Sequence, residues 1–264
     1  MGEALLTLDK VTLGFAGNTV LQGVDYVVTA GSIASLIGPN GAGKTSLFNC
    51  ITGFYKPQAG QITFDGTAIL PLKPFQVTRT GIARTFQNVR LFRQMSVLEN
   101  VMSGQHCRTA AGAIGAILHL PSERREERQI RERAAECLNF VGVPESEWDR
   151  DASTLAYGHQ RRVEIARALA TMPKLLLLDE PAAGLTKGEK GELITLISRI
   201  RLERGVAVLL IEHDTGLVMS ISERVSVLDH GVMIAEGTPR EIQNNPRVIE
   251  AYLGAEDAED ALAL

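Results

Sequence analysis

With 264 residues, 45% of them hydrophobic, the chain holds enough apolar material for one large domain or two modest ones around a sizeable core. Its net charge of −4, with both signs interspersed, lacks the basic stripe of a nucleic-acid binder, so no nucleic-acid partner is expected. Residues 1–8 lack a basic stretch followed by an apolar core and cleavage site, and the longest membrane-like run, residues 110–120, is about half the roughly 20 residues that span a bilayer. A cytoplasmic chain that does not itself cross a membrane is therefore expected. Cys50, Cys107 and Cys137 are widely separated and follow no metal-ligand spacing, which suits small buried apolar side chains in a reducing compartment.

Loose alternation over residues 5–13 and the Val- and Tyr-rich residues 24–28 predict β elements, and the apolar residues 33–37 predict a further strand. That strand feeds Gly38-Pro39-Asn40-Gly41-Ala42-Gly43-Lys44-Thr45-Ser46, which fits the phosphate-binding pattern GxxxxGKT at every fixed position. The glycines let successive N–H groups turn inward onto phosphate oxygens, and the helix expected over residues 44–53 adds its positive end. Lys44 would reach the β- and γ-phosphates, and Thr45 would offer a hydroxyl to the Mg²⁺ that bridges them. A plain glycine-rich turn that starts a helix is the bland alternative.

Residues 61–64 read as a strand closed by Asp65-Gly66, and residues 81–86 lead to Gln87. From about residue 88 to 148 strand signals give way to helical ones. Pro121-Ser122 sets up an N-cap, Glu123, Glu126 and Glu127 load the first turn, and Ile130, Ala134, Leu138 and Val141 recur at helical spacing. This predicts a helical subdomain inserted into an α/β core that resumes at Leu155. A helix over 160–171 then precedes Leu175-Leu176-Leu177-Leu178-Asp179-Glu180, an apolar run suited to a buried parallel strand that delivers carboxylates at its end. Asp179 would hold Mg²⁺ through water, and Glu180 would polarise the attacking water. A helix over 189–203, a buried strand over 207–211 and a hairpin around His230-Gly231 complete an α/β layered domain with a mostly parallel sheet. Residues 255–264, with four acids, are expected to fray.

Leu155-Ala156-Tyr157-Gly158-His159-Gln160-Arg161-Arg162 lies between the insertion and the acidic strand, and at this point the chain resembles the ATP-binding subunits of ABC transporters. The resemblance spans essentially the whole chain: Gln87 matches the Q-loop glutamine, Ala183-Gly184-Leu185-Thr186 the D-loop, His213 the switch histidine and Phe15 the aromatic that stacks on adenine. It implies the ABC ATPase fold, a phosphate-loop core with an antiparallel β subdomain and an inserted helical subdomain. The implied layout is a single domain over residues 1–254, with 1–87 and 155–254 as nucleotide-binding core and 88–154 as helical subdomain. The implied site has Glu180, His213 and Gln87 in catalysis. Phe15, the phosphate loop 38–46 and the signature residues Leu155, Ala156, Tyr157, Gly158 and His159 would bind ATP, and Thr45, Gln87 and Asp179 would bind Mg²⁺.

Arg84-Thr85-Phe86-Gln87-Asn88-Val89-Arg90-Leu91-Phe92, Glu180-Pro181-Ala182-Ala183-Gly184-Leu185 and residues 245–254 narrow the likeness to the larger ATPase of bacterial branched-chain amino acid importers. That implies a second, different ATPase subunit in a head-to-tail dimer, with a homodimer open for the isolated chain, two integral membrane permease subunits and, indirectly, a periplasmic solute-binding protein. The location implied is the cytoplasmic face of the inner membrane. Importers of urea or short amides are the alternative, with a non-import ABC ATPase behind them. DNA-repair relatives carry long coiled coils or zinc cysteines, and ribosome-associated ones carry two motif sets; this chain has neither. His159, in place of the signature glutamine, reads as a tolerated variation, whereas Ala156 and Tyr157 depart from the usual signature serine and first glycine, and Thr186 from the D-loop aspartate. These departures predict unequal composite sites in a heterodimer. Phe15 as ordinary core is the alternative for that residue, and for Val89, Leu91, Phe92 and Met95 the alternatives are a docking cluster for a membrane subunit or the helical subdomain's own core.

Overall fold

The computed structural model describes residues 2–107 and 121–253, so the expectations for residues 110–120, Gly254 and the tail 255–264 lie outside the described residues. The chain divides into two compact units, residues 1–84 with 174–264, and residues 85–173.

The first unit begins with β1 (Ala4–Phe15) and β2 (Asn18–Thr29), an antiparallel hairpin. Its two-residue turn puts Ala16 and Gly17 at φ 47° and 89°, the left-handed pair that matches the twist of the flanking strands. β3 (Ile33–Ile37) is buried at every position, and the phosphate-loop segment leads from it into α1 (Lys44–Ile51). β4 (Ala59–Phe64) and β5 (Thr67–Ala68) join the hairpin in an antiparallel sheet of order β2-β1-β4-β5. α2 (Pro74–Thr80) and β6 (Ile82–Arg84) end this part of the chain.

After the second unit the chain returns as β7 (Leu175–Asp179) and β8 (Ala207–Ile211), again buried throughout, with the helix Lys187–Arg204 between them. The helix Thr215–Ile221, β9 (Arg224–Asp229), β10 (Val232–Gly237) and the helices Pro239–Gln243 and Pro246–Leu253 follow. The second sheet has the order β10-β9-β3-β8-β7-β6 and is parallel except at the β9–β10 hairpin. Continuous apolar runs therefore sit where a sheet covered on both faces requires them. Leu36, Leu47, Phe48, Ile51, Phe64, Leu177 and Leu209 meet in one buried cluster between the two sheets and α1.

The second unit contains α3 (Val97–Ser103), α4 (Pro121–Val141) and α5 (Tyr157–Ala170). Ala134, Leu138 and Val141 are buried as their spacing predicts, and Ile130 is half-buried. Ser122, expected as an N-cap, is inside α4. Cys107 is half-buried, whereas Cys50 and Cys137 are buried, and burial pushes the Cys50 thiol up to about 12. The unit boundary falls at Arg84/Thr85 and Pro173/Lys174, so the helix carrying the signature groups with the helical unit. The reason is packing: Val163, Ile165, Ala166 and Ala170 are buried on α5, which contacts α3 and α4.

Buried Asn100 closes the irregular segment before α3. Its Oδ1 accepts from Phe92 N at 2.8 Å, and its Nδ2 donates to Phe92 O at 3.0 Å, Met95 O at 3.2 Å and Ser96 O at 2.9 Å. Asn100→Ala leaves part-buried backbone groups unpaired and should cost about 1–3 kcal/mol, measured by urea unfolding. A loss below about 0.5 kcal/mol would mean that water replaces the amide.

Candidate functional site

Parallel pairing sets the site. β3 matches Leu36 to Ile211 of β8, and β7 matches Asp179 to the same Ile211, so all three strands end at one sheet edge. The segments that leave them carry the phosphate loop, Glu180 and His213, and ligands of open parallel sheets gather beyond strand carboxyl ends.

In the loop, Gly38, Gly41 and Gly43 have φ 148°, 80° and 105°. A Cβ on Gly38 would lie 1.9 Å from Leu228 O, and one on Gly43 would lie 2.9 Å from Val20 O, so side chains are excluded there by backbone as well as by conformation. Gly38, Ala42 and Lys44 are buried, Pro39, Gly43 and Ser46 half-buried, and Asn40, Gly41 and Thr45 exposed. Lys44 Nζ donates to Gly38 O at 2.5 Å and Pro39 O at 2.9 Å, which curls the side chain over the loop. Burial holds its ammonium below the ordinary value, against the charges of Glu180 and Asp179.

Asp179 is buried, and its Oδ2 accepts from the Arg84 guanidinium at 2.8 Å. Arg84 also donates to Asn49 Oδ1 at 2.7 Å and lies over the Phe48 ring, 5.5 Å from its centroid, so strand β6 fixes the carboxylate's orientation. Glu180 adopts φ 46°, a left-handed backbone uncommon for a residue with a side chain, and its N–H donates to Ile211 O at 2.8 Å. Its Oε1 lies 2.8 Å from His213 Nε2. Behind this pair, buried Glu212 accepts from the N–H groups of Ala182 at 2.7 Å and His213 at 3.0 Å. Burial pushes the Glu212 carboxyl up, and the hydrogen bond from Ala182 leads the opposing effects.

Phe15 is 46% exposed, which rules out the core alternative. Gln58 brackets the preceding Gly14, accepting from its N–H at 2.9 Å and donating to its carbonyl at 2.8 Å. The Tyr55 ring meets Phe15 edge-on with centroids 5.1 Å apart. The Tyr252 phenol, on the helix Pro246–Leu253, takes a hydrogen bond from the Gly38 backbone and is pushed up to about 12 by burial.

In the second unit, Gln87 is exposed, as are Ala156 and Tyr157, while Leu155 and Gly158 are buried and His159 is half-buried. Ala156 stands at the N-cap of α5 without a side-chain hydrogen bond. His159 Nδ1 lies 2.7 Å from Glu147 Oε2. Thr186, in the first unit, caps its helix reciprocally with Glu189. Arg84, Glu212, Tyr55 and Tyr252 have no role in the sequence expectations; only Glu212, directly before His213, carried a positional hint.

The ABC transporter family profile matches residues 21–183, more than half of the chain. The chain belongs to the ABC transporter ATP-binding family. A second profile, the branched-chain amino acid ATP-binding cassette transporter, matches residues 232–258. The cassette is 47% identical over 254 residues to the high-affinity branched-chain amino acid transport ATP-binding proteins BraF of Pseudomonas aeruginosa and LivG of Escherichia coli, covering 96% of this chain and 99% of each relative. Among solved structures, the ADP conformation of an ATP-binding cassette of an ABC transporter superposes with TM-score 0.82 at 32% identity, covering 96% of this chain and 99% of that one. A dimeric cassette in a post-hydrolysis state, bound to ADP and Pi, gives 0.74 at 26%, covering 89% and 99%. The cassette is thus a nucleotide-binding ATPase subunit of ABC type.

Phe15→Ala should weaken ATP binding by about 1–2 kcal/mol, taking base stacking on an aromatic ring as the guide. Its exposure predicts an unchanged melting temperature, and an unaltered ATP Kd by titration would remove the stacking role.

Proposed function

We propose that the cassette hydrolyses MgATP to drive import of branched-chain amino acids. What carries this is the full-length identity to relatives named for branched-chain amino acid transport, together with the matching C-terminal segment. The cassette works head-to-tail with a second, different ATPase, beneath two integral membrane permeases that receive cargo from a periplasmic solute-binding protein, at the cytoplasmic face of the inner membrane. A dimeric relative bound to ADP and Pi supports the paired arrangement.

The chemistry follows from the residues. The loop 38–46 and Lys44 hold the phosphates, and Phe15 stacks on adenine. The buried Asp179 carboxylate and the exposed Thr45 hydroxyl give magnesium the hard oxygen donors it needs when the triphosphate supplies others, so this pair fits the ion. The family resemblance gives Gln87, in the second unit, a part in the same chemistry. Bound there, magnesium would neutralise charge between the phosphates. Glu180 takes the proton of the attacking water, and His213, within hydrogen-bond reach of Glu180, orients it and contacts the γ-phosphate. The partner's signature closes the second side, and this cassette's Leu155, Ala156, Tyr157, Gly158 and His159 do the same for the partner through the uncapped N–H groups that open α5.

Exposed Phe92, with half-buried Val89, Leu91 and Met95, supports a docking role for this cluster toward a membrane subunit. Phe92 is 54% exposed, so it is no core residue of the helical unit.

Glu180→Gln should keep MgATP affinity and cut turnover by at least about 10²-fold, as expected for loss of a general base. Near-normal hydrolysis by the variant in the assembled transporter would place the base elsewhere. Deletion of this gene alone should abolish uptake of radiolabelled leucine, isoleucine and valine; loss of urea or amide uptake in their place would move the cassette to the alternative importers.

A further inference from the structure

Residues 86–90 form no strand or helix, so their backbone groups need partners from elsewhere. One face of α5 supplies them. Arg161 donates through Nη1 to Phe86 O at 2.7 Å and through Nη2 to Gln87 O at 2.7 Å, a fork across two successive carbonyls. One helical turn on, Glu164 Oε1 accepts from Phe86 N at 3.4 Å and Arg90 N at 3.3 Å, and a further turn on Arg167 donates to Arg90 O. Arg161 and Glu164 also bond each other at 2.9 Å, and both side chains are 1% exposed. Tyr157, one turn before Arg161, accepts from Nη2 at 3.1 Å.

Stability alone is a poor account of this arrangement. A guanidinium and a carboxylate taken fully out of water lose hydration that their mutual attraction barely replaces, and Arg161 Nε has no hydrogen-bond partner among the described residues. Such a pair does best at selecting one geometry. The geometry selected is that of the backbone bearing Gln87, and the helix selecting it is the one that opens with the signature residues.

We propose that Arg161, with Glu164, is a positioning residue: it locks the Gln87 loop to the start of α5, so that Gln87 and the signature segment move as one body during turnover. This rests on the role given above to Gln87. The clamp also gives Tyr157 a purpose where the family places glycine, since its hydroxyl completes the set around the Arg161 fork. Arginine is required over lysine because only a planar fork spans two carbonyls at once.

The test compares R161M, R161K, Q87A and the double variant R161M/Q87A in the assembled transporter, with ATP Kd, kcat and melting temperature measured for each. R161M should lower kcat at least about tenfold while ATP Kd stays within about twofold, because the phosphate loop belongs to the other unit. The double variant should be no slower than the slower single one, since both changes act through Gln87. R161K should keep the fold and still lose turnover. Independent, multiplying losses in the double variant would overturn the clamp, as would full turnover in R161K. Unchanged kcat in Q87A alone would overturn the reading of Gln87 and the clamp with it. Should R161M fail to assemble, R161K and E164Q paired with Q87A answer the same question.

Discussion

The in-register parallel pairing of β3, β8 and β7 is the constraint on which the rest depends. Leu36, Ile211 and Asp179 lie in one row across the sheet, and hydrogen bonds on both sides of β8 keep them there. A slip of one residue would turn every side chain of a strand to the opposite face and carry buried Ser35 and Asp179 away from their partners Ser222 and Arg84. Because the row is fixed, the phosphate loop, Glu180 and His213 leave the sheet together. β6 extends the logic: pairing of Arg84 with Leu177 brings its guanidinium within 2.8 Å of the Asp179 carboxylate.

That rigid edge sustains local strain. Glu180 in the left-handed region costs on the order of 1–3 kcal/mol, and the N–H bond to Ile211 O holds it there against relaxation. Turning the backbone at that point brings the carboxylate to His213. Glu212, buried one residue before the histidine, ties Ala182 and His213 to one side chain, so the segments after β7 and β8 are joined behind the Glu180–His213 pair as well as through it.

Much of this was legible in the sequence, for physical reasons that differ between elements. Strands 33–37, 175–179 and 207–211 are covered on both faces and read as unbroken apolar runs. The phosphate loop is legible because its conformation admits few residues, as the 1.9 Å approach of a Gly38 Cβ to Leu228 O shows. β2 runs from Asn18 to Thr29, further than its Val- and Tyr-rich centre at 24–28, since an edge strand with a polar face leaves a weak apolar signal at its ends. Arg161 and Glu164 were illegible in role: charged residues on a helix usually mark a solvated face, and only the long-range bonds to residues 86–90 show that here they are buried. The same holds for Arg84, whose partner Asp179 lies 95 residues away.

The departures from the usual family motifs share one pattern: each preserves the backbone's part and changes only a side chain. Thr186 replaces an aspartate, yet both are helix-capping residues, and its reciprocal bonds with Glu189 keep the start of the following helix intact while a negative charge is lost. Ala156 gives up a hydroxyl, which leaves the N–H groups opening α5 without a side-chain cap, and in the proposed composite site those groups would face the nucleotide. Tyr157 adds bulk where glycine is usual, and its phenol joins Arg161 inside the helical unit. A site that binds phosphate through backbone dipoles tolerates such exchanges. A composite site that carried the hydroxyl and the aspartate would bind the same nucleotide with a different charge balance, which would be the physical basis of unequal sites in the proposed heterodimer.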